Sequence, residues 1–299
     1  MAQGDIISSV DYNTIRLRIA EVMGTGAGTY GYGQAMNSSD VAITQKITKQ
    51  QWDNLRFDIV NAIVHQTGEA PTITTVQVSD PIRYGAGHPN YQYNTLTEQA
   101  RIQRFDIGAG QFVVSSAASQ SRSTAWSSTV TCTLTVTFGT VDQARFFFNS
   151  GGKIRISSAR TGGAGTSQNS NWTTLLSNVG SKDFGATGSL NFYNLTSSYQ
   201  SWFTGQASIS PAYSSNYFNA QVKCNVANNS GGTANVVTFL FSWVDPYTDP
   251  GSPAPGDEVD GTLSLTVSEI RAAGTLLPTG LGSFTIAPPS YSISTISGS

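Results

Sequence analysis

The chain has 299 residues, of which 38 % are apolar and only 11 % are charged, and its formal net charge is −2. The charged share lies well below the roughly 25 % of an average soluble domain, and the near-neutral balance excludes a basic surface of the kind that binds nucleic acid or anionic membranes. The apolar content excludes a disordered chain. No apolar run reaches the ~20 residues that a membrane-spanning helix needs, so we predict no membrane insertion.

The first predicted element is an amphipathic helix near the amino terminus. Asp11 is its predicted cap. Four apolar residues then recur at three- and four-residue spacing along one face, namely Tyr12, Ile15, Ile19 and Val22. A run of glycines over residues 24–33 follows and is predicted to form a loop.

The second predicted helix has clearer start and stop signals. Thr48 and Gln51 match the capping-box pattern, and Gly68 is a plausible end signal. Its apolar stripe consists of Trp52, Leu55, Ile59 and Ile63. Two helices joined by one loop favour an antiparallel pair, which is too small to be stable alone and is expected to pack on the β-domain or on a partner subunit.

Residues 69–94 are rich in proline and glycine and are predicted to be extended, with one added strand at Ile73, Val76 and Val78. A short third helix is predicted over residues 95–105. We therefore divide the chain into residues 1–108, a helical docking or oligomerisation region with an extended linker, and residues 109–299, a β-domain.

From residue 109 onward the hydrophobic period changes to two. Val130, Cys132, Leu134 and Val136 alternate with threonines, a pattern typical of a half-buried strand. Further alternating stretches occur at residues 218–226, 237–243 and 263–267. A hairpin over 144–158, turning at residues 149–152, and a short helix over 172–179 are also predicted. The predicted fold is mainly β, an antiparallel, jelly-roll-like β-sandwich with a small N-terminal helical segment, whose strand order the sequence does not reveal.

The candidate chemical motifs are weak. Gly26, Gly28 and Gly31 match G-x-G-x-x-G, but a predicted helix precedes them, whereas dinucleotide binding requires a preceding strand. His65 and His88 have no His, Cys or Glu at metal-ligand spacing, so both are predicted to be structural or surface residues.

An acidic stretch over residues 245–260 is the one charge cluster of interest. It contains Asp245, Asp249, Asp257, Glu258 and Asp260. A solvated loop is the leading interpretation, with a Ca²⁺ site and a glycosidase carboxylate pair as alternatives. Because no motif supports either alternative, we predict no catalytic, cofactor-binding or metal-binding residues.

Cysteines and aromatic residues leave two further questions open. Cys132 and Cys224 lie at inward positions of strand patterns and are predicted to be buried and unpaired. The aromatic residues favour core or subunit packing, with sugar stacking as the alternative. They include Phe146, Phe147, Phe148, Trp172, Trp202, Phe203, Tyr213, Tyr217 and Tyr247.

Two segments resemble virion structural proteins of tailed bacteriophages, especially those of cyanophages and related marine phages. One lies within residues 9–68 and contains SVDYNTIRLRIAEVMGTGAGTYGYGQAMNSSDV and ITKQQWDNLRFDIVNAIVHQTG. The other comprises ARFFFNSGGKIRISSARTGG at 144–163 and QNSNWTTLLSNVG at 168–180. The resemblance implies a particle component assembled in the host bacterial cytoplasm, with no cofactor and no active site.

The leading hypothesis is therefore a structural protein of the tail, neck, baseplate or fibre of a phage particle, and not an enzyme. Its expected partners are other virion proteins and further copies of itself, as a trimer or hexamer. The second hypothesis is a receptor- or glycan-binding module at a fibre tip, and the third is a polysaccharide-degrading enzyme. Residues 1–9 are polar, so no signal peptide is expected.

Overall fold

The computed structural model of the chain describes residues 8–77, 89–206, 213–248, 258–276 and 282–298. Within these ranges the chain forms two compact units. The first consists of Met1–Val113, Asp142–Gly152 and Arg271–Pro288, and the second of Val114–Val141, Lys153–Ile270 and Pro289–Ser299. The helical unit and the β-rich unit are described separately below.

Three helices come first in the chain, namely α1 (Ser9–Met23), α2 (Lys49–Thr67) and α3 (Pro89–Ile102). In α1 the cap is Ser8, and Asp11 is the third helical residue that completes the capping box, so the prediction of Asp11 as the cap is wrong. The box of Thr48 and Gln51 in α2 is confirmed. Gly68 ends α2 with a φ of 80°, the left-handed conformation that favours glycine there.

Aromatic side chains join the three helices into one core. The predicted apolar stripe of α1 is buried at all four positions. Trp52 of α2 is fully buried between Tyr12 and Tyr93, with ring centroids 5.3 Å and 5.2 Å apart in edge-to-face geometry. Such contacts add to the stabilisation from burial alone. The stripes predicted for both helices therefore face each other within the first unit.

The hairpin predicted over 144–158 is wrong, because its first half is the helix α4 (Val141–Asn149). Ala144, Phe147 and Phe148 are all buried, which is the i, i+3, i+4 spacing of a helical face, whereas an alternating strand would not bury two adjacent phenylalanines on one side. Gly151, at a φ of 83°, follows the helix before the chain enters a strand. The glycines at the predicted turn therefore separate a helix from a strand.

Two other local predictions also need correction. Residues 71–77 form no strand, and Val78 lies outside the described residues. The third helix begins at Pro89 instead of residue 95. The short helix predicted at 172–179 is confirmed as part of α5 (Ser167–Val179), which Thr166 caps.

Eleven strands occur in the described residues. They are β1 (Phe112–Arg122), β2 (Thr129–Thr137), β3 (Lys153–Thr161), β4 (Lys182–Phe184), β5 (Gln200–Gln206), β6 (Tyr217–Cys224), β7 (Val236–Val244), β8 (Thr262–Thr275), β9 (Ser283–Thr285), β10 (Ser290–Ile293) and β11 (Ser297–Gly298). One sheet has the order β1-β8-β3-β4, with β9 beside β8. The other has the order β10-β2-β7-β6-β5, with β11 beside β2.

The two sheets pack face to face within the second unit. Trp243 of β7 donates its indole N–H to the hydroxyl of Ser158 on β3 at 3.0 Å, and the ring of Phe184 on β4 lies 5.3 Å from that of Phe239. The predicted alternation of β2 is confirmed, with its apolar residues buried and its threonines partly exposed. The mainly β, antiparallel sandwich with an N-terminal helical segment is therefore confirmed.

The strand order explains the jelly-roll-like character. β1 lies beside β8 and β2 lies beside β7, so early strands pair with late ones as in a jelly roll. The remaining strands depart from this nesting, because β3 pairs with β4 and β5 pairs with β6.

Candidate functional site

The glycine loop, residues 24–33, is constrained by its own backbone and by the side chains around it. Gly26, Gly28, Gly31 and Gly33 all have a positive φ. The loop is closed by backbone hydrogen bonds from Gly33 to the carbonyl of Gly24 and from Gln34 to the carbonyl of Met23, both at 2.8 Å. It follows a helix and leads into no helix of its own, so the structural context of a dinucleotide fingerprint is missing here.

Side chains of α4 hold the carbonyl groups of the glycine loop. Arg145 donates to the carbonyl oxygen of Thr25 at 3.0 Å. The side-chain amide of Asn149 donates to the carbonyls of Gly28 and Gly31 at 3.3 Å and 3.2 Å. A Cβ on Gly33 would lie only 2.4 Å from the ring of Phe146. The loop is therefore a packed structural element, and the carbonyls of Thr25, Gly28 and Gly31 accept hydrogen bonds from side chains of the same chain.

The other side of the loop contacts the end of α3. Arg104 donates to the carbonyl of Thr29 at 3.0 Å, and its guanidinium lies 4.6 Å from the centre of the Tyr30 ring. The hydroxyl of Tyr32 donates to the carbonyl of Arg104 at 2.7 Å and accepts from Gln66 at 2.8 Å. Burial raises the pKa of Tyr32, so the phenol stays neutral.

These contacts join two stretches of chain that are far apart in sequence. The glycine loop belongs to the segment at 9–68, while Arg145 and Asn149 belong to the segment at 144–163. His65 adds a third link, because its Nε2 lies 3.0 Å from the carbonyl oxygen of Ser150. The glycine loop, α4 and the end of α2 therefore build one packed module within the first unit.

Gly31→Ala is expected to destabilise the first unit more than Gly28→Ala. Both glycines have a positive φ, which alone costs alanine about 1–2 kcal/mol. An added Cβ at Gly31 would lie 2.3 Å from the carbonyl oxygen of Thr25, whereas nothing lies within 4 Å at Gly28. The backbone must shift at Gly31, so we expect a further loss of about 1–3 kcal/mol there. Urea unfolding of both variants measures the difference, and equal losses would contradict the packed loop.

His65 is buried and packs within the first unit. Its ring is stacked on Phe284 with centroids 4.0 Å apart, and Nδ1 has no hydrogen-bond partner. Burial lowers its pKa from 6.5 to about 4. The structural role predicted for His65 is confirmed, whereas His88 lies outside the described residues.

The depressed pKa of His65 predicts acid sensitivity. Between about pH 6.5 and pH 4 the unfolded chain binds a proton at this residue that the folded chain does not. The stabilisation from neutral His65 is therefore complete above pH 6.5, and about 3 kcal/mol of it is lost as the pH falls to 4. Urea unfolding across this window, in the wild type and in His65→Phe, measures the effect. A slope that is unchanged in His65→Phe would assign the acid sensitivity to other groups.

Of the acidic residues at 245–260, the structure describes Asp245, Glu258 and Asp260, and these differ in their surroundings. Asp245 is buried and accepts hydrogen bonds from Gln168 at 2.6 Å and from the indole N–H of Trp172 at 3.2 Å. The solvated interpretation is therefore wrong for Asp245. Glu258 is exposed, while Asp249 and Asp257 lie outside the described residues.

Asp260 also has a structural role. Its carboxylate accepts from the backbone N–H of Ala164 at 3.1 Å and 3.0 Å, is hydrogen-bonded by Asn169, and pairs with Arg160 at 3.2 Å. The N–H of Ala164 holds the pKa of Asp260 below its ordinary value. In the described ranges, no group of three or more His, Cys, Asp or Glu is placed to hold a metal ion.

Cysteines and most of the notable aromatic residues belong to packing. Cys132 and Cys224 are buried and unpaired, as predicted. Trp172 is fully buried, so the alternative of a sugar platform there is wrong. Trp202 is half-buried and packs edge-on against Phe184 with centroids 5.6 Å apart.

β1 lies at the end of its sheet, and its residues from Val114 onward belong to the second unit. None of its side chains is buried, and Val114 is 55 % exposed. Its sequence, FVVSSAASQSR, contains no proline, no acidic residue and no lysine. This strand, defined here as the open edge, is the surface of the second unit best suited to a partner.

Within the part of the chain that the structure describes, no helix is long and apolar enough to span a membrane. In comparisons with protein-family models, with curated proteins and with solved structures, no match to this chain is found.

Proposed function

We propose that this chain is a structural component of a tailed-phage particle and acts through protein–protein assembly. The observation that carries the proposal is the packed module in the first unit. Parts of both segments that resemble phage virion proteins meet there, where Arg145 and Asn149 bind the carbonyls of the glycine loop. A module held together by such packing contacts fits a protein selected for its shape.

The chemistry of the described residues supports the same proposal. His65 is neutral and buried, and Asp245 and Asp260 are engaged by neighbouring side chains and backbone. Each of these groups stabilises its own unit. The low charge of the chain allows close approach to neighbours, because it brings little electrostatic repulsion. The proposed partners are other virion proteins and further copies of the chain, and the proposed location is the virion.

Gradient purification of particles from a virus that encodes the chain tests this proposal. Mass spectrometry of the particle fraction is expected to find the chain at a constant, multiple copy number per particle. Antibodies raised against the recombinant protein are expected to label one position on imaged particles. A host cytoplasmic protein followed through the same gradient is the control for carry-over. Recovery of the chain only in the unassembled fraction would reject a structural role.

A further inference from the structure

The open edge differs from the other sheet edges in the described residues. It is 11 residues long, whereas the opposite edge of the same sheet, β4, has three. In the second sheet, β5 pairs irregularly between Ser201 and Phe203, and the edge formed by β10 and β11 consists of strands of four and two residues. Short or bulged edges resist the addition of a further strand. Among the edge strands in these ranges, β1 is the one that is neither short nor irregularly paired with its neighbour.

Arg122, the single charged residue of β1, does not protect the edge. Its guanidinium donates to the carbonyls of Thr124, Ala125 and Gly298 at 2.9, 3.1 and 2.8 Å. These hydrogen bonds therefore hold the charge of Arg122 at the carboxyl-terminal end of β1. Proteins usually guard a long edge with charged residues or proline, and the rest of β1 has neither.

We propose that β1 pairs antiparallel with β1 of a second copy of this chain, about a two-fold axis near Ala117 and Ala118. This proposal rests on the proposed assembly function and names one of its contacts. Pairing about this axis places alanines and serines opposite one another, so no like charges meet. The strand has neither a charge pattern nor a large side chain at its centre with which to select a foreign strand. A two-fold interface uses the same surface on both copies.

The orientation of the backbone identifies the groups that would pair. The N–H of Ala273 donates to the carbonyl oxygen of Gln111 at 3.0 Å, so the backbone groups of Gln111 face β8. Because this orientation alternates along a regular strand, the even-numbered residues from Phe112 to Ser116 present their N–H and C=O groups away from β8. The alternation of exposure shifts between Ala117 and Ala118, so either alanine can lie on the proposed axis.

Single cysteine variants test the geometry directly. The variants are Ala117→Cys and Ala118→Cys. Whichever of Ala117 and Ala118 lies on the two-fold axis faces its own copy, so a cysteine at that position is within reach of a disulfide. At least one variant is expected to form a covalent dimer on mild oxidation. Ser177→Cys, on the exposed face of α5, is the matched control and is expected to stay monomeric under denaturation. Cys132 and Cys224 are buried and add no accessible thiol.

Sedimentation of the wild-type chain supplies the second measurement. The wild type is expected to contain dimers, or larger even-numbered oligomers, and Ala118→Lys is expected to weaken self-association by about tenfold or more, because two like charges then face each other. A monomeric wild type, or a dimer that neither cysteine variant cross-links, would overturn the proposal. Cross-linking of Ala118→Cys in particles to a different virion protein would also overturn it. If the chain forms cross-linked dimers but is absent from particles, the proposed function is rejected and the proposed pairing of β1 between two copies is supported.

Discussion

Replacing Trp52 with alanine is expected to lower the free energy of unfolding by about 3–5 kcal/mol, the usual range for truncating a buried tryptophan. The side chain is fully buried, and it links α1 to α3 through ring contacts with Tyr12 and Tyr93. Its removal leaves a cavity where the three helices meet. Urea denaturation followed by circular dichroism measures the loss.

The control for Trp52 lies two residues earlier on the same helix. Gln50 is exposed, so Gln50→Ala is expected to change stability by less than about 0.5 kcal/mol. If Trp52→Ala unfolds at the same urea concentration as Gln50→Ala, the aromatic core of the first unit does not stabilise it.

Asp58→Ala is expected to have a comparable effect, a loss of about 3–5 kcal/mol, because each donor left unpaired in a buried site costs about 1–3 kcal/mol. Asp58 is 1 % exposed. Its carboxylate accepts four hydrogen bonds, from the backbone and side chain of Asn37 at 2.9 and 2.8 Å and from those of Ser38 at 2.9 and 2.6 Å. The carboxylate therefore ties the loop before α2 to that helix.

Asp53→Ala provides the comparison for Asp58. Asp53 lies on the same helix and accepts from Lys49 at 2.6 Å, four residues earlier. Pairs of this kind contribute less than about 1 kcal/mol. Thermal unfolding of both variants separates the two roles, and a loss in Asp58→Ala no larger than that in Asp53→Ala would mean that the four donors find other partners.

Local patterns in the sequence predicted much of the fold. The capping box of Thr48 and the left-handed Gly68 depend on residues close in sequence, and the alternation of β2 depends on a period of two. The hairpin predicted over 144–158 was wrong because three consecutive apolar residues, Phe146, Phe147 and Phe148, fit a strand or a helix equally well. The burial of Ala144, Phe147 and Phe148 together shows the helical period.

Local sequence patterns could not predict the contacts of the glycine loop. The glycines indicate a loop, but nothing near them shows that Arg145 and Asn149 bind its carbonyls. The acceptor role of Asp58 is equally hidden, since its donors at residues 37 and 38 carry no recognisable motif. Likewise, the openness of β1 depends on which strand lies at the end of the sheet, and the sequence does not reveal strand order.

The bond between Asn149 and Gly28 joins residues 121 positions apart, which affects how the chain folds as it is made. At 5–20 residues per second, a ribosome needs roughly 6–24 s to add that much chain. Throughout this interval α1, α2 and the glycine loop exist without the side chains that satisfy the loop carbonyls. Phe284, which stacks on His65, is synthesised later still. The first helices to be made are thus among the last parts of the protein to be completed, and a chaperone has time to act on them.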